Sequence, residues 1–323
     1  MSASRAEHSE DVGLVPSAML NARSIGEEAE RVALSLSLAR EEVFESYYKY
    51  LTVDEPAVHL MPLHFLPQAS RERVGEGPLR ELAVAGKLEY ARNRWFDEMV
   101  DHPGSVPGLS AAHRLNEALL ALIDSRYAGV LDGRTAAKFF PVLTRLHARY
   151  GLSLILDGAK FGDLASPITL EDYSEHARSR HGPVRAPVDA VLLLVGAADG
   201  LLGRARTSWH NWALGVQFYD DAIDVEEDFR DRTMSWAVGR ALQYFHPDSG
   251  DPAPLSLPDP DAFYERALAE GVVSETLSHA EAFFAESARF AEGIFPSWVT
   301  FQKTCMSQAR RLREDYEKLL TEA

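Results

Sequence analysis

An all-α fold is predicted for this 323-residue chain by two observations. Apolar residues recur every three or four positions along most of its length, and alternating β-branched runs bounded by turn signals are nearly absent. The first periodic stretch begins at Glu27: Ala29, Val32, Ala33, Leu36 and Ala39 share one face, while Glu27, Glu28, Glu30, Arg40 and Glu41 take the other. Comparable stretches follow over roughly 77–101, 110–128, 133–157, 169–180, 186–200, 204–229, 234–245, 261–289 and 296–320. Breaks fall at Pro103 to Gly108, Gly158 to Pro167, Gly182-Pro183 and the Pro-rich segment Pro247 to Pro260. Residues 1–22 are polar and carry no period, so they read as a flexible N-terminal tail. Residues 23–323 read as one helical domain, because the helices after Pro260 cannot bury their apolar faces alone.

Composition narrows the function. The chain carries 33 Lys and Arg against 49 Asp and Glu, a net charge of −16, and has no long basic run, which argues against a nucleic-acid partner. With 46% hydrophobic and 25% charged residues it is a folding sequence rather than a disordered one. The single Cys305 forbids an intramolecular disulfide and suits a reducing compartment. The first twenty residues lack the basic-then-apolar order of a signal peptide, so a cytoplasmic protein is expected. The run Val191 to Val195 falls well short of the ~20 residues that cross a bilayer, and no transmembrane span is expected.

The sharpest chemical feature lies between Gly215 and Asp231, where seven residues are acidic. On a helix, Asp220, Asp224 and Asp228 stand one above another, with Gln217 one turn earlier on nearly the same face. Like charges four residues apart oppose a helix by a few tenths of a kcal/mol per pair, so the stack calls for a counter-ion. A hard divalent cation with oxygen ligands is the natural candidate. Val216, Phe218, Tyr219, Ala222, Ile223 and Val225 make the segment too apolar for a purely exposed helix, so some of its carboxylates should line a cleft. A second cluster, Asp97-Glu98-Met99-Val100-Asp101, ends an earlier helix with Asp97 and Asp101 on one face. Taken singly such a run is more often solvated surface. Magnesium keeps only one or two protein carboxylates and fills its other positions with water and phosphate oxygens. Two acidic helix faces therefore suggest a magnesium-bound diphosphate.

These residues resemble the class I isoprenoid synthases, an all-α superfamily. Gln217-Phe218-Tyr219-Asp220-Asp221-Ala222-Ile223-Asp224 is similar to the Gln-x-x-Asp-Asp-x-x-Asp second motif of trans-prenyl diphosphate synthases, and Asp97 to Asp101 to their Asp-Asp-x-x-Asp first motif, with Glu98 in second place. Asp224-Val225-Glu226-Glu227-Asp228 resembles the Asp-x-x-Glu-Asp block of phytoene and squalene synthases. Asp220, Asp224 and Asp228 share the spacing of the metal-binding triad of terpene cyclases. The likeness runs loosely over about residues 25–320. Departures are the absence of a Gly-Gly-Lys-Arg-like loop near the amino terminus, of Arg-Arg-Gly after Asp101, and of a Lys-Thr in the central helix, which reads Arg178-Ser179-Arg180-His181-Gly182-Pro183.

The resemblance implies an antiparallel helical bundle with a central active-site cavity. It implies Mg2+ held by Asp97, Glu98, Asp101, Asp220, Asp221, Asp224 and Asp228, with Asp97, Asp101, Asp220, Asp224 and Asp228 as the catalytic carboxylates. Gln217 and Glu227 would support them, and Arg178, Arg180, Arg230 and Arg232 would bind the diphosphate, with Lys303, Arg310, Arg311 and Tyr316 as weaker candidates. Phe96, Trp212, Phe218 and Tyr219, with Trp209 nearby, would face a carbocation, although each alone is more often core. The expected reaction is terpene cyclisation of farnesyl or geranylgeranyl diphosphate with loss of diphosphate. Chain elongation and head-to-head coupling are the alternatives, and a helical scaffold with a decayed site is the non-enzymatic one. A di-iron bundle would need Glu-x-x-His pairs, which neither cluster has. The resemblance also allows a homodimer. His113, His147, His176 and His210 receive no role.

Overall fold

The computed structural model describes residues 21–39, 41–53, 58, 60–67, 70–101, 108–157, 169–245 and 257–322. Among these every regular element is helical. The tail expected over 1–22 lies outside the described residues as far as residue 20, and so do residues 103–107, 158–167 and 247–256 of the expected breaks.

The chain opens with α1 (Ala22–Ala33), where Asn21 caps the helix by accepting from the Ser24 amide at 2.7 Å. A single helix through Glu41 is not formed. Residues 34–39 make turns and α2 (Glu42–Leu51) follows, because the Ser-Leu alternation there has a period of two and the Ser35 hydroxyl bonds back to the Val32 carbonyl. Two single-turn pieces, α3 (Met61–His64) and α4 (Arg71–Val74), lead into the long α5 (Glu76–Asp101). Then come α6 (Leu109–Val130), α7 (Gly133–Asp157) and α8 (Leu170–Arg180).

A 3-10 turn at Pro183–Arg185 joins α8 to α9 (Ala186–Leu194), which stops short of the expected residue 200 because Gly196 takes a left-handed φ of 68°. The remaining helices are α10 (Asp199–Ile223), α11 (Val225–Asp231), α12 (Trp236–Phe245), α13 (Pro260–Ala269), α14 (Val272–Ala291) and α15 (Pro296–Glu322). The periodic stretch 261–289 is two helices rather than one, split at Gly271, whose φ is 72°.

α10 packs along α14, and α14 along α15. The first pair approaches closely because Gly215 faces Phe284: a Cβ at Gly215 would stand 2.6 Å from two ring carbons. Trp95, Trp209, Trp298, Tyr47, Tyr127, Phe139 and Phe218 are fully buried in the main core, each large side chain worth about 1.5–3 kcal/mol of hydrophobic stabilisation. A second core joins α11 to α14, with the Phe229 and Phe263 rings stacked at 3.8 Å. It fixes the segment that follows the acidic end of α10. Among the described residues no helix is long and apolar enough to cross a membrane.

Candidate functional site

The site is built where the C-terminal ends of α5 and α8 meet the junction of α10 and α11. The expected unbroken helix through 229 is interrupted at Asp224, whose backbone (φ −95°, ψ 8°) leaves the helical region. The like charges stacked there oppose an unbroken helix. The hydrogen bonds nevertheless continue across the break, Asp224 N to Asp220 O at 2.9 Å and Asp228 N to Asp224 O at 2.7 Å. The three aspartates therefore keep their i, i+4, i+8 order, with Asp220 and Asp224 exposed and Asp228 half-buried.

Asp220 is open to water yet closely surrounded by protein, the condition of a group lining an open-topped cleft. Its carboxyl is pushed up to about 7, first by that desolvation and then by Asp224 and Asp221, against the opposing pull of Arg94 and Arg180. Asp228 is pushed up to about 8 by desolvation and Asp221, against a hydrogen bond from Ser235 and the charge of Arg180. A ridge of carboxylates that resist ionising together is chemically ready for a cation.

Across from it, Asp97 of α5 accepts a hydrogen bond from the Tyr150 hydroxyl at 3.1 Å, and Tyr150 also donates to the Asn93 carbonyl at 2.8 Å. Arg180, the last residue of α8, brings Nη2 within 3.7 Å of Asp97 Oδ2. Arg94, one turn before Asp97, lies in the field of both Asp97 and Asp220, and together with Tyr90 they raise its pKa against the cost of desolvation. Arg94 and Arg180 thus act electrostatically on both acidic helix ends.

Asp221 does not join the ridge. It is buried and accepts from the Tyr173 hydroxyl, from Gln217 Nε2 at 3.0 Å and from the Trp236 amide at 2.7 Å, which ties α8 and the start of α12 to α10. Gln217 is oriented by the same network: its amide nitrogen faces Asp221 and its Oε1 lies 3.2 Å from His181 Nε2. His181 is pushed down to about 4 by burial and by Arg180, so it is neutral and donates from Nε2.

The other expected residues are spread more widely, some beside the ridge and some away from it. Glu98 faces Lys49 of α2 at 3.3 Å. Arg178 lines a separate pocket between α7 and α10. Arg230 pairs with Glu226 at 2.5 Å and Asp261 at 3.2 Å, and Glu227 is exposed on α11. Phe218 is fully buried between Tyr173, Trp236 and Phe283, and Trp212 is buried among Trp209, Trp298 and Phe301, so both are core. Phe96 is half-buried beneath the Arg92 guanidinium, and Tyr219 is half-buried beside Asp220. Arg232 holds a left-handed φ of 60° at the end of α11, the sole such non-glycine among the described residues. Arg310 pairs with Glu281, and Lys303 and Arg311 are exposed on α15. Tyr316 of α15 approaches Tyr264, Tyr219 and Asp224, and burial together with these neighbours pushes it up to about 12. Asp101 closes α5, and its side chain lies outside the described residues.

Sequence reading missed Arg94, Tyr150, Tyr173 and His181. Arg94 carried a usable signal, since three residues before Asp97 is the adjacent turn of one helix face. The two tyrosines carried none, because only tertiary packing brings them to these aspartates.

Among the described residues no three His, Cys, Asp or Glu side chains converge as a closed metal cage would require. Magnesium does not need one: it takes one or two carboxylates and completes its shell with water and phosphate oxygens. Asp220, Asp224 and Asp228, as hard oxygen donors along an open cleft flanked by guanidinium groups, fit that mode.

No protein-family model matches the chain, and no curated protein matches it. Solved structures do. The geranylgeranyl pyrophosphate synthetase of the archaeon Geoglobus acetivorans superposes with a TM-score of 0.70 at 16% identity, covering 91% of this chain and 98% of its own. The heptaprenyl diphosphate synthase of Staphylococcus aureus gives 0.69 at 12% identity, covering 90% and 99%. A polyprenyl synthase from Caulobacter crescentus, complexed with calcium and isoprenyl diphosphate, gives 0.67 at 16% identity, covering 89% and 94%. The all-α architecture of this chain is therefore the isoprenoid synthase fold that these structures share.

Proposed function

We propose that the protein is a magnesium-dependent enzyme that ionises an allylic prenyl diphosphate and transfers the prenyl group to a second substrate, as a trans-prenyl diphosphate synthase does. The observation that supports this reading is that Arg94 and Arg180 lie in the field both of Asp97 on α5 and of the aspartates at the α10–α11 junction. Transfer is preferred to cyclisation because the similar solved structures are named as geranylgeranyl pyrophosphate and heptaprenyl diphosphate synthases. Cyclisation, the expected reaction, is the second reading. It is favoured by the lack of the Gly-Gly-Lys-Arg-like and Arg-Arg-Gly segments that would hold isopentenyl diphosphate.

In this mechanism Asp97, Asp101, Asp220, Asp224 and Asp228 would hold the metal. Bound magnesium would supply Lewis-acid assistance to the departing diphosphate. Arg94, Arg180 and Arg232 donate hydrogen bonds to its oxygens, with planar guanidinium groups suited to paired contacts. Gln217 and the neutral His181 keep Asp221 turned into the core, which fixes the pitch of the ridge. Tyr219 and Phe96 present ring faces to the allylic cation, at about 0.5–2 kcal/mol per contact. Cytoplasmic placement, a single domain over residues 23–323 and a homodimer belong to this proposal.

The test is incubation with geranyl, farnesyl and geranylgeranyl diphosphates, each with and without isopentenyl diphosphate, followed by product analysis. Longer diphosphates formed only with isopentenyl diphosphate support transfer. Hydrocarbons formed without it support cyclisation, and no diphosphate release from any substrate rejects both.

A further inference from the structure

A second site lies away from the acidic cleft. A cavity of about 190 Å³ between α7, α8, the 3-10 turn and α10 is lined by Arg145, Arg149, Arg178, Arg185, Arg206 and His210. Convergence of five guanidinium groups is unexpected in a chain of net charge −16. Their carboxylate partners are too few. Arg185 and Arg206 share the fully buried Asp189 at 3.2 and 2.9 Å. Arg149 and Arg178 share the exposed Glu175 at 3.5 and 4.0 Å. Arg145 makes no hydrogen bond or ion pair among the described residues. Five cations against two anions leave three positive charges around one small cavity.

Two further observations point to a ligand. Arg178 Nε is shielded from water and has no hydrogen-bond acceptor among the described residues. His210 faces Arg185 through Nε2 and is held neutral, pushed down to about 3 by burial and by the surrounding arginines, so it accepts from Arg185 and adds no charge to the repulsion. A shielded donor atom without an acceptor and like charges short of counter-ions are both relieved by one oxyanion.

This cavity is separate from the diphosphate cleft proposed above. Arg178 and Arg180 lie about 200° apart around α8, so they serve opposite faces. On α10, His210 precedes Gln217 by two turns, roughly 10 Å.

We propose that this arginine-lined pocket binds free inorganic diphosphate without a metal ion. Its volume lies below the roughly 300–1,000 Å³ of sites for drug-sized ligands, and Val142 and Leu146 are its main apolar walls, so a prenyl tail has no place in it. Arginines on facing helices, α7 on one side and α10 on the other, suit an anion with two charged ends better than a monophosphate. The site stands on these residues alone and does not depend on the reaction proposed for the cleft.

The test is calorimetric titration and thermal melting of the full chain in a metal chelator, with inorganic diphosphate, phosphate, sulfate and geranyl diphosphate as separate probes. Diphosphate is expected to bind at least tenfold more tightly than the other three. Arg145→Ala and Arg178→Ala should each weaken it at least tenfold, while Asp224→Asn in the cleft leaves it unchanged. Arg145 is exposed and without a partner among the described residues, so its variant is expected to fold, and circular dichroism checks this. The proposal is overturned by absence of metal-free binding, by equal binding of sulfate or geranyl diphosphate, or by binding that neither arginine variant alters. It is also overturned if Arg145→Ala changes the oligomeric state by sedimentation while diphosphate binding persists, since the pocket would then serve an acidic surface of a second copy.

Discussion

Arg180 and Asp97 form a 3.7 Å pair that joins the end of α8 to the end of α5, and the same guanidinium lowers the pKa values of Asp220 and Asp228 on the opposite ridge. One cation therefore serves both acidic elements. Arg180→Gln should reduce diphosphate release at least tenfold, about 1.4 kcal/mol of lost stabilisation. It should also shift the acidic limb of the pH–rate profile upward, because the opposing aspartates lose a positive neighbour. Steady-state rates across pH check both effects, and an unchanged profile would separate Arg180 from the site.

Asp221 is the network's structural member. Asp221→Ala strands the Tyr173 hydroxyl, the Trp236 amide and the Gln217 amide group, at an expected cost of about 3 kcal/mol or more. Tyr173→Phe removes one hydrogen bond to a charged acceptor, about 1.5–3 kcal/mol. Urea denaturation reads both; a smaller loss for Asp221→Ala than for Tyr173→Phe would contradict this role.

The raised pKa of Asp228 has a definite consequence for stability. Between roughly pH 4, where the unfolded carboxyl titrates, and about 8, the folded chain retains a proton that the unfolded chain has released. Stability is then lost as pH rises through this window. In chelator, Asp228→Asn should melt near the wild type at pH 4 and above it at pH 8. Added magnesium with diphosphate should reverse that order at pH 8. Parallel melting curves at all pH values would rule the shift out.

Gly215 permits the close approach of α10 to α14. Gly215→Ala pushes a methyl group into the Phe284 ring and should cost about 1–3 kcal/mol despite the better helix propensity of alanine. Gly215→Ala combined with Phe284→Leu should recover part of the loss. Guanidinium unfolding midpoints measure it, and a neutral single variant would show that the helices can part without penalty.

The helices, the stacking of Asp220, Asp224 and Asp228, and the lack of strands among the described residues were legible because each depends on periodicity within one segment. Boundaries failed where one residue overrode the period: Gly271 split a helix, and Asp224 interrupted another while sparing its hydrogen bonds. Side-chain roles were less legible. Phe218 and Tyr219 are adjacent in sequence, yet one is fully buried core and the other borders the cleft, a difference set by α12 and α14 packing over Phe218. Arg178 and Arg180 likewise diverge through helix geometry and tertiary partners, which composition cannot reveal.

The most direct measurement is magnesium-dependent diphosphate release from farnesyl diphosphate, with isopentenyl diphosphate present, by the wild type, Asp97→Asn and Asp224→Asn. A loss of at least 100-fold is expected in each variant, about 2.7 kcal/mol or more, with the helical circular dichroism preserved. Wild-type turnover in both folded variants would contradict it.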